Sequence, residues 1–183
     1  MPYFREGLDN DEEVLTIWES DVHPEFCSHC ANAGLPLDRT LAKGQLKILA
    51  SEDTYTQDGV FVSKRMYNTL EQALIAAQDG PYGTVRTCGD MEWALKNLPG
   101  TDELMEYEAK VNLLAPKYEC TLLCVYDINK FSGRAIADVL ATHSHVILNG
   151  RIHVNPHFVE PLEFLKTLLR RKKHPLRNDP DIC

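Results

Sequence analysis

The chain has 183 residues, of which 44% are hydrophobic and 25% are charged, and its formal net charge is −8. A single compact domain of this size buries roughly 70% of the surface that its unfolded chain exposes. The sequence pI of about 5.3 disfavours non-specific binding to nucleic acid or to an anionic membrane, because a net negative field repels both. We therefore expect one domain that makes no direct contact with nucleic acid.

Two absences from the sequence indicate a cytoplasmic protein. No apolar run approaches the roughly 18 residues that a membrane helix needs, and the first ten residues lack the basic and apolar regions of a signal peptide. In a chain without an export signal, the six cysteines are expected to be mostly reduced thiols.

Short strand-like runs alternate with stretches of helical spacing along the chain. The strand-like runs lie at 13–18, 45–49, 84–88, 120–126 and 145–150. This α/β alternation predicts a mostly parallel sheet of about five to six strands, flanked by helices on both faces. The run from Leu122 to Tyr126 is apolar on both faces, so we expect it in the middle of the sheet.

Apolar stripes and end signals predict the helices. The predicted helices lie at 66–77, 101–114, 132–140 and 161–169. Ser132 is expected to cap the third of these helices, and Pro161 fits the first turn of the last one. That helix runs into basic residues at 170–174, which complement the helix dipole; a partner or phosphate contact is the alternative reading. We expect one domain over 1–169, and a basic helix end with a flexible tail over 170–183.

Nucleotide binding is not expected. The sequence contains neither the G-x-x-x-x-G-K-[ST] spacing of a phosphate-binding loop nor the G-x-G-x-x-G spacing of a dinucleotide site. Gly80 and Gly83 in "GPYGTVRTCG" are more simply turn residues before a strand. ATP hydrolysis of the usual kind is therefore not expected, and no cofactor is predicted.

Two cysteine arrangements raise chemical alternatives. Cys27 and Cys30, with His23 nearby, have a spacing found in metal sites and redox motifs, but Pro24 places both thiols inside a helix and a second ligand pair is missing. Cys88 ends a predicted strand and precedes a helical segment, where a nucleophile could be exposed, although the flanking glycines of a nucleophile elbow are absent. Packing or pocket-lining roles are favoured, and a cysteine-dependent enzyme or thiol redox protein is the alternative.

Histidines and cysteines elsewhere have simpler interpretations. His143 and His145 would point the same way from a strand, but His143 is expected to cap the last carbonyls of the preceding helix. Cys120 and Cys124 lie on one face of a predicted strand and are expected to be buried packing residues. No metal site is predicted.

Acidic and amide side chains provide further candidates. Glu108 and Asn112 lie at i and i+4 on a predicted helix, so they could bond each other, reach toward Arg86, or form an exposed polar edge. Asp127 follows a predicted strand. Ligands in open α/β sheets bind outside the carboxyl ends of the strands, which adds weight to Asp90 and Asp127.

Several segments together resemble the MEDS domain, a methanogen/methylotroph sensory domain. They are "YFREGLDNDEEVLTIW", "RTCGDMEWAL", "YEAKVNLL", "LLCVYDINKFSG" and "VLATHSHVILNGRIHVNPHFVEP", and the likeness extends to about Leu169. The resemblance implies a RecA-like or KaiC-like three-layer fold without a working phosphate-binding loop. It also implies a non-catalytic sensor of hydrocarbon derivatives or other small molecules, with a histidine kinase or transcription regulator as output partner.

The family's motif positions carry over onto a defined set of residues. They are Arg86, Asp90, Trp93, Glu108, Asn112, Tyr126, Asp127, His143, Asn155 and Pro156. Family members usually have a further strand before the segment matching "YFREGL", with a His/Cys and aromatic pattern. Where the family often reads N-P-Y-Y-x-P-P this chain reads "NPHFVEP", so that His157 replaces an aromatic residue and Glu160 a proline. A more polar or pH-responsive pocket is expected.

The two prolines around His157 stiffen this segment. Pro156 favours extended backbone at Asn155 and Pro161 presets the next helix, which predicts a lid that aims His157 and Phe158 at a ligand pocket. A packed connector that anchors the last helix is the alternative.

We therefore predict a site for a small, weakly polar organic molecule. The predicted site residues are Arg86, Cys88, Asp90, Glu108, Asn112, Tyr126, Asp127, His143, Asn155, His157 and Phe158. A ligand-free interaction module is a further alternative, and a homodimer is left open.

Overall fold

A four-stranded parallel sheet forms the centre of the protein, whose structure is a computed structural model that describes residues 1–173. The strands of the sheet are β1 (Glu13–Trp18), β2 (Leu46–Ala50), β3 (Val85–Asp90) and β4 (Cys120–Val125), in the order β2-β1-β3-β4. In this register Cys88 of β3 lies opposite Thr16 of β1 and Leu123 of β4. The predicted α/β class with a parallel sheet is confirmed, and the predicted tail at 174–183 lies outside the described residues.

The predicted strand at 145–150 does not join this sheet. It forms β5 (His145–Leu148), which pairs antiparallel with β6 (Arg151–Val154). The connecting residues Asn149 and Gly150 both have positive φ angles, 51° and 73°, as a two-residue type I′ hairpin turn requires. The prediction of five to six strands in one sheet is therefore not confirmed, because the tight turn makes a separate hairpin instead of a parallel crossover.

β4 lies at the edge of the sheet, so its predicted central position is wrong. Its side chains are mostly half-buried, whereas those of the inner strands β1 and β3 are buried over almost their whole length. Helices cover both faces of an edge strand as well as of a central one. An apolar run on both faces therefore indicates covering layers and carries no information about strand order.

Helices pack on both faces of the sheet. They are α1 (Pro2–Asp9), α2 (His23–Asn32), α3 (Leu37–Ala42), α4 (Ser63–Gln78), α5 (Leu104–Val111), α6 (Gly133–Thr142) and α7 (Pro161–Lys173). Short 3₁₀ helices lie at Ser51–Asp53, Gln57–Gly59, Glu92–Lys96, Thr101–Glu103 and Ala115–Lys117. The predicted starts of two helices are confirmed, since Ser132 Oγ accepts from the Ala135 amide at 3.2 Å and Pro161 begins α7.

Within 1–173, no helix has the length and apolar character needed to cross a bilayer.

Two apolar clusters fix the layers. On one face, residues of α1 and α2 such as Phe4 and Phe26 pack against the β-strand residues Val14, Leu46 and Cys88. The cluster on the other face contains a buried aromatic group that joins α5 to the segments after β2 and β3. Its members are Tyr55, Phe61, Trp93 and Tyr107. The finer RecA-like or KaiC-like architecture stays a prediction.

Candidate functional site

The structure distributes the eleven predicted site residues over both faces of the sheet. Five of them meet near the carboxyl end of β4, beside α5 and α6. These five are Glu108, Asn112, Tyr126, His143 and Asn155. The remaining six lie elsewhere.

A group of polar side chains on this side of the sheet, which we call the β4 cluster, consists of Glu108, Cys124, Tyr126 and His143. Glu108 comes from α5, Cys124 from β4, Tyr126 from just beyond β4, and His143 from the end of α6. Tyr126 Oη donates to Glu108 Oε1 at 2.6 Å. Glu108 Oε2 lies 3.5 Å from Cys124 Sγ and 3.6 Å from His143 Nε2. Carboxylate, thiol and imidazole therefore converge around one oxygen atom.

Burial dominates the electrostatics of the β4 cluster. Glu108 is 2% exposed, and the side chain of His143 is 22% exposed. Burial and, after it, the neighbouring Glu108 charge raise the pKa of the Cys124 thiol and the pKa of the Tyr126 hydroxyl well above their ordinary values. Both groups therefore act as hydrogen-bond donors to the carboxylate.

Backbone carbonyls at the end of α6 hold His143 in place. His143 Nδ1 lies 2.8 Å from the Val139 carbonyl oxygen, the capping contact predicted for this residue.

Two amide side chains bond to the backbone around His143. The Asn112 amide donates to the carbonyl oxygens of Thr142 at 2.7 Å and of Glu108 at 3.0 Å. The Asn155 amide donates to the His143 carbonyl oxygen at 2.7 Å. Two amide side chains thus fasten the loop that carries the imidazole.

Arg86 is not part of this cluster, so of the alternatives for Glu108 and Asn112 the structure has the contact between the two residues and not the reach toward Arg86. The Arg86 guanidinium donates to both carboxylate oxygens of Glu12, at 2.6 and 2.7 Å, and to the Tyr3 carbonyl oxygen at 2.8 Å. The pKa of Glu12 is lowered by these hydrogen bonds. Side chains alternate between the faces of a strand, and Arg86 points to the α1 side while Glu108 approaches from α5. Arg86 fastens α1 to the sheet.

Cys88 lies within β3, which continues to Asp90, so the predicted strand end at 88 is wrong and no exposed elbow forms there. The residue is 2% exposed, and burial raises the pKa of its thiol to about 12. Cys27 and Cys30 lie inside α2, as predicted, and burial also raises the pKa of Cys30. Among residues 1–173, neither cysteine of this pair belongs to a cluster of three potential metal ligands.

Asp90 and Asp127 stand at the carboxyl ends of β3 and β4, as predicted. Asp90 is 8% exposed, and its pKa is raised to about 6, chiefly by burial and then by the negative charge of Glu92. Asp127 Oδ1 accepts from the backbone amide of Asn129 at 2.9 Å. Asp127 thus shapes the turn after β4.

The segment after β6 is fastened to the end of α6. Asn155 is buried, its Oδ1 accepts from the His157 amide at 3.0 Å, and the Val159 amide donates to the Ala141 carbonyl oxygen at 2.9 Å. His157 is exposed and Phe158 is half-buried. These contacts support the connector alternative over the predicted lid.

A groove of about 420 Å³ opens between α1, α2 and the carboxyl halves of β3 and β4, and we call it the α1–α2 groove. It is lined by Met1, Tyr3, Phe4, Trp18, Val22, Glu25, Phe26, His29, Cys88, Leu123 and Val125. Its volume lies in the usual range for small-molecule sites. Of the predicted site residues, Cys88 is the one that lines it. An enclosed void of about 20 Å³ in the opposite core has room for no more than about one water molecule.

Sequence reasoning missed the aromatic walls of the groove and the place of Cys124 in the β4 cluster. Alternation along β4 was the available signal, because it sends Leu123 and Val125 to one face and Cys124 and Tyr126 to the other.

Comparison with known proteins gives two matches. The family model described as MEDS: MEthanogen/methylotroph, DcmR Sensory domain matches residues 1–144. The transcriptional repressor DcmR of Methylorubrum extorquens is 35% identical over 79 residues, which are 43% of this chain and 30% of the repressor. The match thus spans less than a third of that relative's length. The groove and the β4 cluster both lie inside the region that the family model matches.

Proposed function

The chain belongs to the MEDS family of sensory domains, and from this premise we propose that it is a non-catalytic domain that binds a small organic molecule and reports it to a regulatory partner. The observation that carries the proposal is the α1–α2 groove. It lies at the carboxyl side of a parallel sheet, where ligands of open α/β folds bind.

The chemistry of the groove favours a weakly polar ligand. Aromatic rings form its walls, with centroids 5.1 Å apart for Trp18 and Phe26 and 5.3 Å apart for Phe4 and Phe26. The Tyr3 hydroxyl is already engaged, because it donates to the Thr87 carbonyl oxygen at 2.8 Å. A hydrocarbon derivative with one polar group gains affinity mainly because its apolar surface leaves water. The aromatic rings of the groove provide the apolar surface that the ligand then contacts.

Two considerations support a regulatory output. The matching relative is named as a transcriptional repressor, and the net charge of −8 disfavours direct DNA binding by this chain. We propose that a transcription regulator or a histidine kinase in the cytoplasm receives the signal. The RecA-like or KaiC-like architecture and a homodimer belong to the same proposal.

Thermal unfolding of the full chain with short-chain alcohols, haloalkanes and methylated amines tests this function. A ligand at a hundredfold excess over its dissociation constant stabilises the fold by about 2.7 kcal/mol, which is roughly 5–10 °C in melting temperature at this size. Val22→Trp, which fills the groove, should abolish the shift, whereas Val159→Trp on the connector should retain it. A shift that survives Val22→Trp would place the ligand elsewhere.

The enzyme alternative has a separate test. A catalytic cysteine alkylates well below pH 8.5 because its thiolate is stabilised. The buried thiols of Cys88 and Cys30 are expected to react only when the protein unfolds. Fast, selective alkylation of either residue in the native protein, located by mass spectrometry, would favour the enzyme or redox alternative.

A further inference from the structure

We propose that Glu108, Cys124 and His143 bind one divalent first-row cation, Zn²⁺, with a water molecule completing a tetrahedral site. One ligand atom from each of the three residues lies within 4.8 Å of the other two, and we assign these atoms as Glu108 Oε2, Cys124 Sγ and His143 Nε2. This site is on the face of the sheet opposite the α1–α2 groove. It is therefore separate from the organic-ligand site proposed above.

The spacing of the three atoms fits zinc. Zinc bonds to sulfur at about 2.3 Å and to nitrogen or oxygen at about 2.0–2.2 Å, so tetrahedral ligand atoms stand about 3.4–3.6 Å apart. Two of the observed separations from Glu108 Oε2 are 3.5 Å to Cys124 Sγ and 3.6 Å to His143 Nε2. With 4.8 Å as the upper limit, the third pair needs to close by no more than about 1.2 Å to reach the tetrahedral spacing.

The charge balance of the β4 cluster also calls for a cation. Glu108 is 2% exposed, and among residues 1–173 no lysine or arginine nitrogen lies within ion-pair distance of its carboxylate. Its one basic neighbour is His143, at 3.6 Å, which is too long for a hydrogen bond. A bound divalent cation would supply an opposite charge at short range from this buried carboxyl group.

Outer contacts already aim the ligand atoms inward. The Tyr126 hydroxyl holds Glu108 Oε1 at 2.6 Å, which leaves Oε2 to face the other two ligands. The Val139 carbonyl oxygen lies 2.8 Å from His143 Nδ1, which makes Nδ1 the protonated nitrogen and presents the lone pair of Nε2 to the site. Such carbonyl and hydroxyl contacts orient ligands in known metal sites.

The donor set decides which metal fits. One thiolate, one imidazole and one carboxylate suit Zn²⁺, whereas Mg²⁺ and Ca²⁺ take all-oxygen sites. Binding converts the Cys124 thiol to a thiolate and releases one proton to solvent. The side chain of His143, 22% exposed, provides the path from solvent.

Cobalt spectroscopy on the reduced, chelator-treated full chain tests the proposal. One equivalent of Co²⁺ should give thiolate-to-cobalt charge-transfer absorption and the strong visible bands of tetrahedral cobalt, and Zn²⁺ should displace it. Mg²⁺ should not compete. Cys124→Ser should abolish the charge-transfer band, and Glu108→Gln and His143→Gln should each weaken binding at least tenfold.

Matched variants control for the other cysteines and histidines. Cys120→Ser changes a half-buried cysteine on the same strand, and His145→Gln changes a neighbouring histidine outside the cluster. Neither should alter cobalt binding, nor should Cys27→Ser combined with Cys30→Ser. Tyr126→Phe should weaken binding roughly 10–100-fold while the charge-transfer band remains, because Tyr126 positions a ligand and is not one.

A measurement on the unaltered chain covers the case in which a variant fails to fold. Zn²⁺ should protect Cys124 from alkylation, as located by mass spectrometry, and leave the rate at Cys27 unchanged. The proposal is wrong if no stoichiometric complex forms, if the charge-transfer band survives Cys124→Ser, or if it disappears in the Cys27 and Cys30 variant instead. None of these results decides whether the α1–α2 groove binds an organic ligand.

Discussion

Asp90 is a carboxyl group that the fold buries at the end of β3, and no lysine or arginine among residues 1–173 forms an ion pair with it. Burial and the Glu92 charge raise its pKa to about 6, and the more distant Lys130 opposes them only weakly. The native protein therefore holds this proton more tightly than the unfolded chain, whose aspartates titrate near 3.9. Stability is lost as the pH rises from about 4 to about 6, and the loss is complete above that range.

We expect Asp90→Asn to stabilise the protein at pH 7.5 by about 1–2 kcal/mol, a value that allows for partial solvent screening. The difference from the unaltered chain should shrink toward zero below about pH 4, where Asp90 carries the proton in both the native and the unfolded state. Urea unfolding at several pH values measures it. A gap that is constant with pH would contradict the assigned cause.

The attachment of α1 to the sheet depends on a glycine. A Cβ atom at Gly7 would lie 2.6 Å from Cδ of Arg86 and 3.0 Å from Cγ2 of Val14, and Arg86 is held by its two bonds to Glu12. Replacing a helical glycine by alanine ordinarily stabilises by up to about 1 kcal/mol. Here the sign should reverse.

We expect Gly7→Ala to lower the free energy of unfolding by about 1–3 kcal/mol, as overpacking of a filled core does. Gly133, the first residue of α6, has no atom within 4 Å of its would-be Cβ. Gly133→Ala should therefore be neutral or slightly stabilising under the same conditions of chemical unfolding. Stabilisation by both changes would show that α1 is packed more loosely than described.

The connector between β6 and α7 is anchored by one amide. Asn155 donates to the carbonyl oxygens of Leu140 at 2.6 Å and of His143 at 2.7 Å. Asn155→Ala leaves both acceptors without this partner in a buried place, so it should cost about 2–3 kcal/mol of stability. His157→Ala at an exposed position should stay within about 0.5 kcal/mol. If the two variants are equally stable, the connector does not anchor α6.

At the scale of the whole chain, α7 continues past Leu169, and basic residues of its last turn contact other helices. The Arg171 guanidinium donates to both carboxylate oxygens of Asp138 on α6, at 2.7 and 2.9 Å. Lys172 Nζ lies 3.8 Å from Glu106 on α5. Part of the basic segment, predicted to be a solvated helix end, therefore contacts the domain.

We expect Arg171→Ala to lower the free energy of unfolding by about 1 kcal/mol, near the upper end for a pair that is partly exposed. Arg170→Ala, next to it and exposed, should have no measurable effect. High salt should reduce the Arg171 effect, since the pair is screened. Equal stability of the two variants in low-salt unfolding would show that the ion pair between Arg171 and Asp138 does not stabilise the fold.

Local patterns predicted the elements well and their arrangement less well. The four strands of the sheet and the helix starts at Gly133, after the Ser132 cap, and at Pro161 follow from apolar runs and capping residues. The order of the strands could not be predicted from these patterns, because pairing in a parallel sheet depends on how the connections between strands cross over and not on the residues within a strand. The Asn149–Gly150 pair did carry a hairpin signal that the strand assignment overlooked.

The candidate site shows the same division. Glu108, Tyr126 and His143 could be selected one by one from their residue types and positions, yet their meeting at Cys124 requires three elements to fold together. The alternative in which Glu108 reaches toward Arg86 could not be rejected from the sequence, because spacing gives the alternation of side chains along a strand without saying which side chains point to which face.

β4 borders both proposed sites at once. Leu123 and Val125 form part of the floor of the α1–α2 groove, and Cys124, between them, belongs to the β4 cluster on the far side. A ligand in the α1–α2 groove that shifts β4 by a fraction of an ångström would change how readily the Cys124 thiolate reaches its metal. By thermodynamic linkage, metal binding must then change the affinity of the groove for this ligand by the same factor. Ligand binding on one face of the sheet would thus be coupled to metal binding on the other face through β4 alone, and no helix would have to move.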